Sequence, residues 1–210
     1  MTDPDPLPPE LLDGYHRFRS GRFAEDHERY RVLAEQGQRP TAMLIACSDS
    51  RSAPEQVFDA APGELFVVRN IAAWVPPYRA GAEARSTAAA LEYAIHVLPI
   101  ASIVVMGHAG CGGVRAAVDR DYGPSTSEFV GPWIRDIEAL ARDVVATGAD
   151  LQHAVELRTV ERSVENLLTY PWIADLVRSD MLAVAGARFA IATGDLEVLG
   201  DHGWEHVEAG

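Results

Sequence analysis

Apolar residues fall along this chain in short blocks whose spacing changes from one block to the next. From Leu7 to Gln36, the residues Tyr15, Phe18, Phe23, Tyr30 and Leu33 stand among many charges, which predicts one or two helices broken near Ser20-Gly21. Such an arm can lie on its own core or across a neighbouring subunit, and the neighbour is the expectation. Thr41 to Ala46 is an apolar run cut off by the polar segment Cys47 to Ser52 and by Pro54, the pattern of a buried strand ending in a loop. Pro54 to Asp59 predicts a short helix, and Glu64 to Arg69 a second strand after the Pro62-Gly63 turn. Ala82 to Val97 has the Ala and Leu content of a helix, which Pro99 ends.

Ser102 to Gly107, rich in Val and Ile, predicts a third strand. It runs into His108 and the glycines Gly110, Gly112 and Gly113, with a helix expected from Val114. Helices are expected over Glu128 to Thr147 and Leu151 to Leu168, the second from the spacing of Val160, Val164, Leu167 and Leu168. Met181 to Ala185 and Arg188 to Thr193 read as two late strands.

Strands alternating with helices predict an α/β fold with a mainly parallel sheet, helices on both faces, and ligands bound beyond the carboxyl ends of the strands. Both polar motifs sit at such ends. Cys47 closes the first strand and His108 the third, so one metal can reach both if those strands are neighbours. There is no internal repeat or linker: a helical arm, residues 1–37, precedes a single domain, residues 38–210.

Composition narrows the field. The 210 residues, 48% hydrophobic and 23% charged, suit one core. A net charge of -13 repels phosphate backbones and anionic lipid, so neither nucleic acid nor membrane is an expected partner. Met1 to Glu10 lacks the basic and apolar regions of an export signal, and the apolar tract Ile100 to Met106 is far short of the ~18 residues of a membrane span. A cytoplasmic location is expected.

The two cysteines, Cys47 and Cys111, each lie beside other ligand-type residues, Asp49 and His108, which favours a metal site over a disulfide. In His108-Ala109-Gly110-Cys111 a two-residue spacer lets an imidazole and a thiolate from one tight turn face a common centre. Two thiolates and an imidazole are soft enough to select zinc over magnesium or calcium, which leaves one of four tetrahedral positions to fill. Asp49 can fill it, closing the site, or withdraw and leave it to water. Asp49 and Arg51, two apart, can pair, and a bidentate guanidinium would keep the carboxylate off the metal as an acceptor for the proton of bound water. Two anionic ligands make that water less acidic than three neutral ones, so an alkaline optimum is expected.

Ala46-Cys47-Ser48-Asp49-Ser50-Arg51 and Gly107-His108-Ala109-Gly110-Cys111-Gly112-Gly113 together resemble the β-carbonic anhydrases. Gly63 to Asn70, Val75-Pro76-Pro77-Tyr78 and Asn166-Leu167-Leu168-Thr169-Tyr170-Pro171 look like further segments of that family, so that the likeness runs from Gln38 to Leu199. The resemblance implies a four-stranded parallel sheet with an additional antiparallel strand, assembled as a homodimer or higher homo-oligomer. It also implies reversible hydration of carbon dioxide to bicarbonate by a hydroxide on zinc, one Zn2+ per subunit. Cys47, His108 and Cys111 correspond to the zinc ligands, and Asp49 with Arg51 to the dyad that caps the metal or activates water. Gln38, Phe66, Ile71 and Tyr93 fall where the plant-like branch places substrate-pocket residues, some reaching across a dimer interface, with Gly112 beside them. Leu44 and Ala46 stand where a bicarbonate-regulated branch has Trp and Gly, which implies no inhibitory bicarbonate pocket. Ala73-Trp74, where the family usually has Asn, and Ser86, where many members have Gly, are departures. The rivals are hydrolysis of carbonyl sulfide or carbon disulfide, and a closed zinc site without catalysis.

Overall fold

A computed structural model of the chain describes residues 7–80, 86–120, 128–145 and 148–208. The helix start expected at Ala82 and the helix end expected at Thr147 lie outside the described residues, as does most of the segment Met1 to Glu10. Two compact units emerge, Met1–Arg39 and Pro40–Gly210.

The first unit holds α1 (Pro9–Ser20), α2 (Arg22–Glu25) and α3 (His27–Gln36). Gly21 breaks the arm where expected, and Asp26 adds a second break. Phe23 packs on Phe18 and Tyr30, with ring centroids 5.7 and 5.0 Å apart, and the Arg19 guanidinium lies 4.4 Å over the Phe23 ring. No residue of these three helices is buried.

The second unit runs β1 (Ala42–Cys47), α4 (Pro54–Val57), β2 (Leu65–Asn70), a single 3-10 turn at Ile71–Ala73, α5 (Ser86–Val97) and β3 (Ser102–His108). It continues with α6 (Gly112–Asp119), α7 (Val130–Asp143), α8 (Gly148–Leu167), α9 (Pro171–Arg178), β4 (Ala183–Phe189), β5 (Leu196–Gly200) and β6 (Gly203–His206). The strand order is β2-β1-β3-β4-β5-β6. The first four are parallel, and β5 and β6 pair antiparallel. The expected α/β class holds, with the antiparallel strand present and a sixth short strand beyond it.

Alternation places Met43, Ile45, Ile103 and Val105 on one face of the sheet, where they pack with Leu91 and Ala94 of α5, Val160 and Leu167 of α8, and Ile173 of α9. Ala46, Met106 and Ala187 form a smaller cluster with Val57 of α4. A third cluster, Val114, Ala117, Ile134, Ile137, Leu140 and Val155, joins α6, α7 and α8 beside the cysteines.

Two expectations are corrected. Met181 to Ala185 and Arg188 to Thr193 are not two strands; a single strand, β4, spans the gap between them. Gly186, between the two expected strands, is a point of close packing: a Cβ there would meet Val160 of α8 at 2.9 Å and Leu199 of β5 at 3.2 Å. The helix expected from Val114 begins at Gly112, which makes Cys111 its N-cap. Helix α9, which follows the helix expected to end at Leu168, is not among the expected elements; Pro171 occupies its first turn.

Gly107 of β3 faces the same Val160 side chain, which a Cβ would meet at 2.7 Å. Gly107→Ala is expected to destabilise the fold by ~1–3 kcal/mol through overpacking, and adding Val160→Ala should restore part of the loss. Urea unfolding of the three variants checks this: additive losses in the double variant would place the strain elsewhere.

The loop after the 3-10 turn is tied to the C-terminal helices. Val75 N–H donates to Ser163 Oγ (3.1 Å), and Asn166 Nδ2 donates to Val75 O (2.7 Å). Tyr170 OH donates to Pro76 O (3.1 Å), and Tyr78 N–H donates to Thr169 Oγ1 (2.8 Å). These bonds explain why a polar Asn-…-Thr-Tyr-Pro segment ends an otherwise apolar helix stripe.

Candidate metal centre

Because β1 and β3 are adjacent and parallel, their carboxyl ends deliver Cys47 and His108 side by side. The turn after β3 then brings in Cys111. Gly110 takes φ +65°, a left-handed conformation that costs glycine little, and Gly113 lets α6 approach the 3-10 turn, since a Cβ there would lie 2.6 Å from Ile71 Cγ2. The outcome is a buried set, Cys47 Sγ, His108 N and Cys111 Sγ, all within 4.8 Å of one another, the two sulfurs 3.9 Å apart. Both cysteines are free thiols.

This set fits a soft metal ion. His108 Nδ1 donates to Ala109 O (3.0 Å), which leaves the lone pair on Nε2; that atom is buried and has no hydrogen-bond partner. An orphaned buried nitrogen costs ~1–3 kcal/mol, and its place beside two sulfurs makes it a candidate metal ligand. Ionisation of the sulfurs is linked. Cys47 is pulled well below the usual thiol range, first by the Cys111 S–H that bonds to it, with His108 assisting against burial. Cys111 is pushed up by the Cys47 sulfur and then by burial, while the N–H groups of Val114 and Gly113 pull the other way. For His108, burial disfavours the charged ring, but the nearby Cys47 sulfur and the Ala109 carbonyl outweigh that and raise it.

Asp49 and Arg51 form the expected fork. Arg51 Nε and an outer guanidinium nitrogen donate to Asp49 Oδ1 and Oδ2 at 2.9 and 2.7 Å, and Arg51 N–H adds a bond to Oδ1 at 3.0 Å. These bonds hold the Asp49 carboxyl well below the ordinary carboxylate range. Asp49 Oδ2 lies 3.8 Å from His108 Nε2.

Of the expected pocket residues, Gly112 opens α6, and Ile71, partly exposed, faces Gly113. Phe66 is paired in register with Met43, four positions before the end of β2, and stacks on Tyr93 of α5 with centroids 5.9 Å apart. Tyr93 is exposed, and Gln38 is an exposed residue of the first unit.

Sequence reasoning passed over several side chains that build the centre. Arg69, the one charge in β2, reaches back to donate to Cys47 O (2.9 Å) and to Asp49 O, clamping the ligand-bearing loop. Glu156, Gln152 and Arg188 stand behind Cys111. Glu156 had a signal: it falls on the same three- and four-residue spacing as Val160, Ser163 and Leu167, the buried stripe of α8.

Residues 42–196 match the family model described as carbonic anhydrase. The chain is 35% identical over 186 residues to "Beta carbonic anhydrase 5, chloroplastic" of Arabidopsis thaliana, a match covering 86% of this chain and 60% of that protein. To "Beta carbonic anhydrase 3" of the same plant it is 32% identical over 195 residues, covering 90% and 75%. The chain thus spans three fifths of the length of the first of these relatives and three quarters of the second. Among solved structures, the β-carbonic anhydrase CcaA superposes with a TM-score of 0.88 at 28% identity, covering 95% of this chain and 92% of that one. The tetrameric β-carbonic anhydrases of Sordaria macrospora are represented by a match with a TM-score of 0.79 at 26% identity, covering 91% and 95%. Sequence and backbone agree from β1 to the start of β5, and the chain belongs to the β-class carbonic anhydrases.

Proposed function

We propose that this chain interconverts carbon dioxide and bicarbonate at a zinc ion held by Cys47, His108 and Cys111, one ion per subunit. The observation that carries the reading is the unpartnered His108 Nε2 beside two thiols, with an arginine-held carboxylate 3.8 Å away. Two sulfurs and one imidazole favour zinc over harder cations, and zinc bound there supplies the Lewis acidity that makes water a strong nucleophile near neutral pH.

The chain's own groups supply the rest. Arg51 keeps Asp49 ionised and turned to the guanidinium, so that Oδ2, which accepts from one guanidinium nitrogen, offers its second lone pair to a hydrogen bond from the reacting water and orients that water toward carbon dioxide. Released from the fork, the same carboxylate would serve as a fourth metal ligand. Ile71 and Gly112 are assigned to the wall of the space that holds an uncharged linear substrate, with the stacked pair Phe66 and Tyr93 contributing where subunits meet. Assembly as a homodimer or larger is supported by the exposed Tyr93 ring and by an arm with no buried residue. Two free buried thiols suit the reducing cytoplasm, and among the described residues no helix is long and apolar enough to cross a membrane.

Stopped-flow hydration of carbon dioxide by protein of measured zinc content, at mildly acidic and alkaline pH, tests the reading. The expected rate scales with zinc and rises toward alkaline pH. Fully zinc-loaded protein that leaves carbon dioxide hydration at the buffer rate would overturn it.

A further inference from the structure

We infer that Glu156 is a positioning residue for the metal ligand Cys111, acting through the backbone of that cysteine; this rests on the metal reading above. Cys111 is the N-cap of α6, so its N–H has no partner within the helix. Glu156, 3% exposed on α8, fills that role: its Oε1 accepts from Cys111 N–H at 3.1 Å. Gln152, one helical turn earlier, holds the other end of the same residue, donating to Cys111 O at 3.4 Å and to Glu156 Oε1 at 3.0 Å. Arg115 in turn donates to Gln152 Oε1 at 3.1 Å.

The carboxylate is itself held. Arg188 of β4, 7% exposed, donates to Glu156 Oε2 from two nitrogens at 3.1 and 2.9 Å, and its third nitrogen donates to Glu197 of β5 at 2.6 Å. Register sets Arg188 opposite Gly107, the residue before the ligand His108. Two buried charges are a costly way to cap one amide, since a neutral side chain could accept the same bond. What the charged pair adds is direction. A carboxylate whose Oε2 takes two donors from one guanidinium fixes the Cys111 N–H vector, and with it the sulfur, in the turn built on Gly110. The cavity beside Glu156, bounded by Gly107, His108, Cys111, Thr159 and Val160, has a volume of ≈ 10 Å³ and holds no more than a water. The Glu156 carboxylate is 3% exposed and taken up by Cys111, Gln152 and Arg188, so its route to the centre is through Cys111.

The test uses the zinc-loaded enzyme and its cobalt-substituted form. Glu156→Gln should release metal to a chelator ~10–100-fold faster than the parent and should shift or weaken the sulfur-to-cobalt charge-transfer band. Gln152→Ala, a partly exposed change that keeps the buried pair intact, should move both readouts the same way by a smaller factor. Ile173→Val, a core change on α9 remote from Cys111, should lower the melting temperature and leave release rate and band alone. Unchanged release and an unchanged band in folded Glu156→Gln, or in Gln152→Ala should the first not fold, would overturn the assignment. Failure of the metal reading would look different, because the parent protein itself would then bind no stoichiometric zinc or cobalt.

Discussion

His108→Ala should strip zinc from the centre and lower carbon dioxide hydration by at least ~1,000-fold, a loss of ~4 kcal/mol in transition-state stabilisation. The size follows from what remains. Two sulfurs 3.9 Å apart offer half a tetrahedron, and the unpartnered nitrogen beside them is gone. The metal-free fold should suffer much less, since the substitution leaves a small hole in a tightly packed turn but also removes a buried polar atom that has no partner. Zinc per chain, hydration rate and metal-free melting temperature separate these effects. A variant that keeps one tightly held zinc per chain would show that the ion is bound elsewhere.

Asp49→Asn should leave zinc in place and still cost ~100–10,000-fold in hydration rate, the range for removing a positioned proton acceptor. Asparagine keeps the size of the side chain but loses the charge that makes the Arg51 fork, so the amide is neither locked by the guanidinium nor basic enough to draw on a proton. Arg51→Leu should also slow hydration, by freeing the carboxylate to bind the metal and compete with water. Zinc stoichiometry and hydration rate in both variants are the measurements. Full activity with full zinc in Asp49→Asn would remove Asp49 from the chemistry, and loss of zinc would make it an obligatory ligand.

The first three strands were legible because each is an apolar run with abrupt polar or glycine boundaries, and their ends fell within a residue or two of the expected places. The meeting of Cys47 with His108 followed from two motifs at the ends of strands that turn out to be neighbours. The C-terminal third was harder to read. Gly186, needed for close packing against Val160, imitates a strand break, and Pro171 starts a helix where prolines are usually read as stops. The supports behind the ligands were hidden for another reason. A buried charge makes sense only beside its partner, and Glu156 lies 32 residues from Arg188 and 45 from Cys111 in the chain. Arg69 reads as a solvated strand end until the loop it clamps is folded back over it.

The four bonds that fasten Val75 to Tyr78 join residues 88 to 94 positions apart. Closing loops of that span carries an entropic cost that is repaid only after the helices at residues 163–170 have docked, so these contacts form late, even though Cys47, His108 and Cys111 are synthesised early. A polypeptide still emerging from the ribosome has all three donors exposed but lacks the wall that shapes their surroundings. At the proposed metal centre, capture of the ion is then expected at the final stage of folding, after the C-terminal helices have been made.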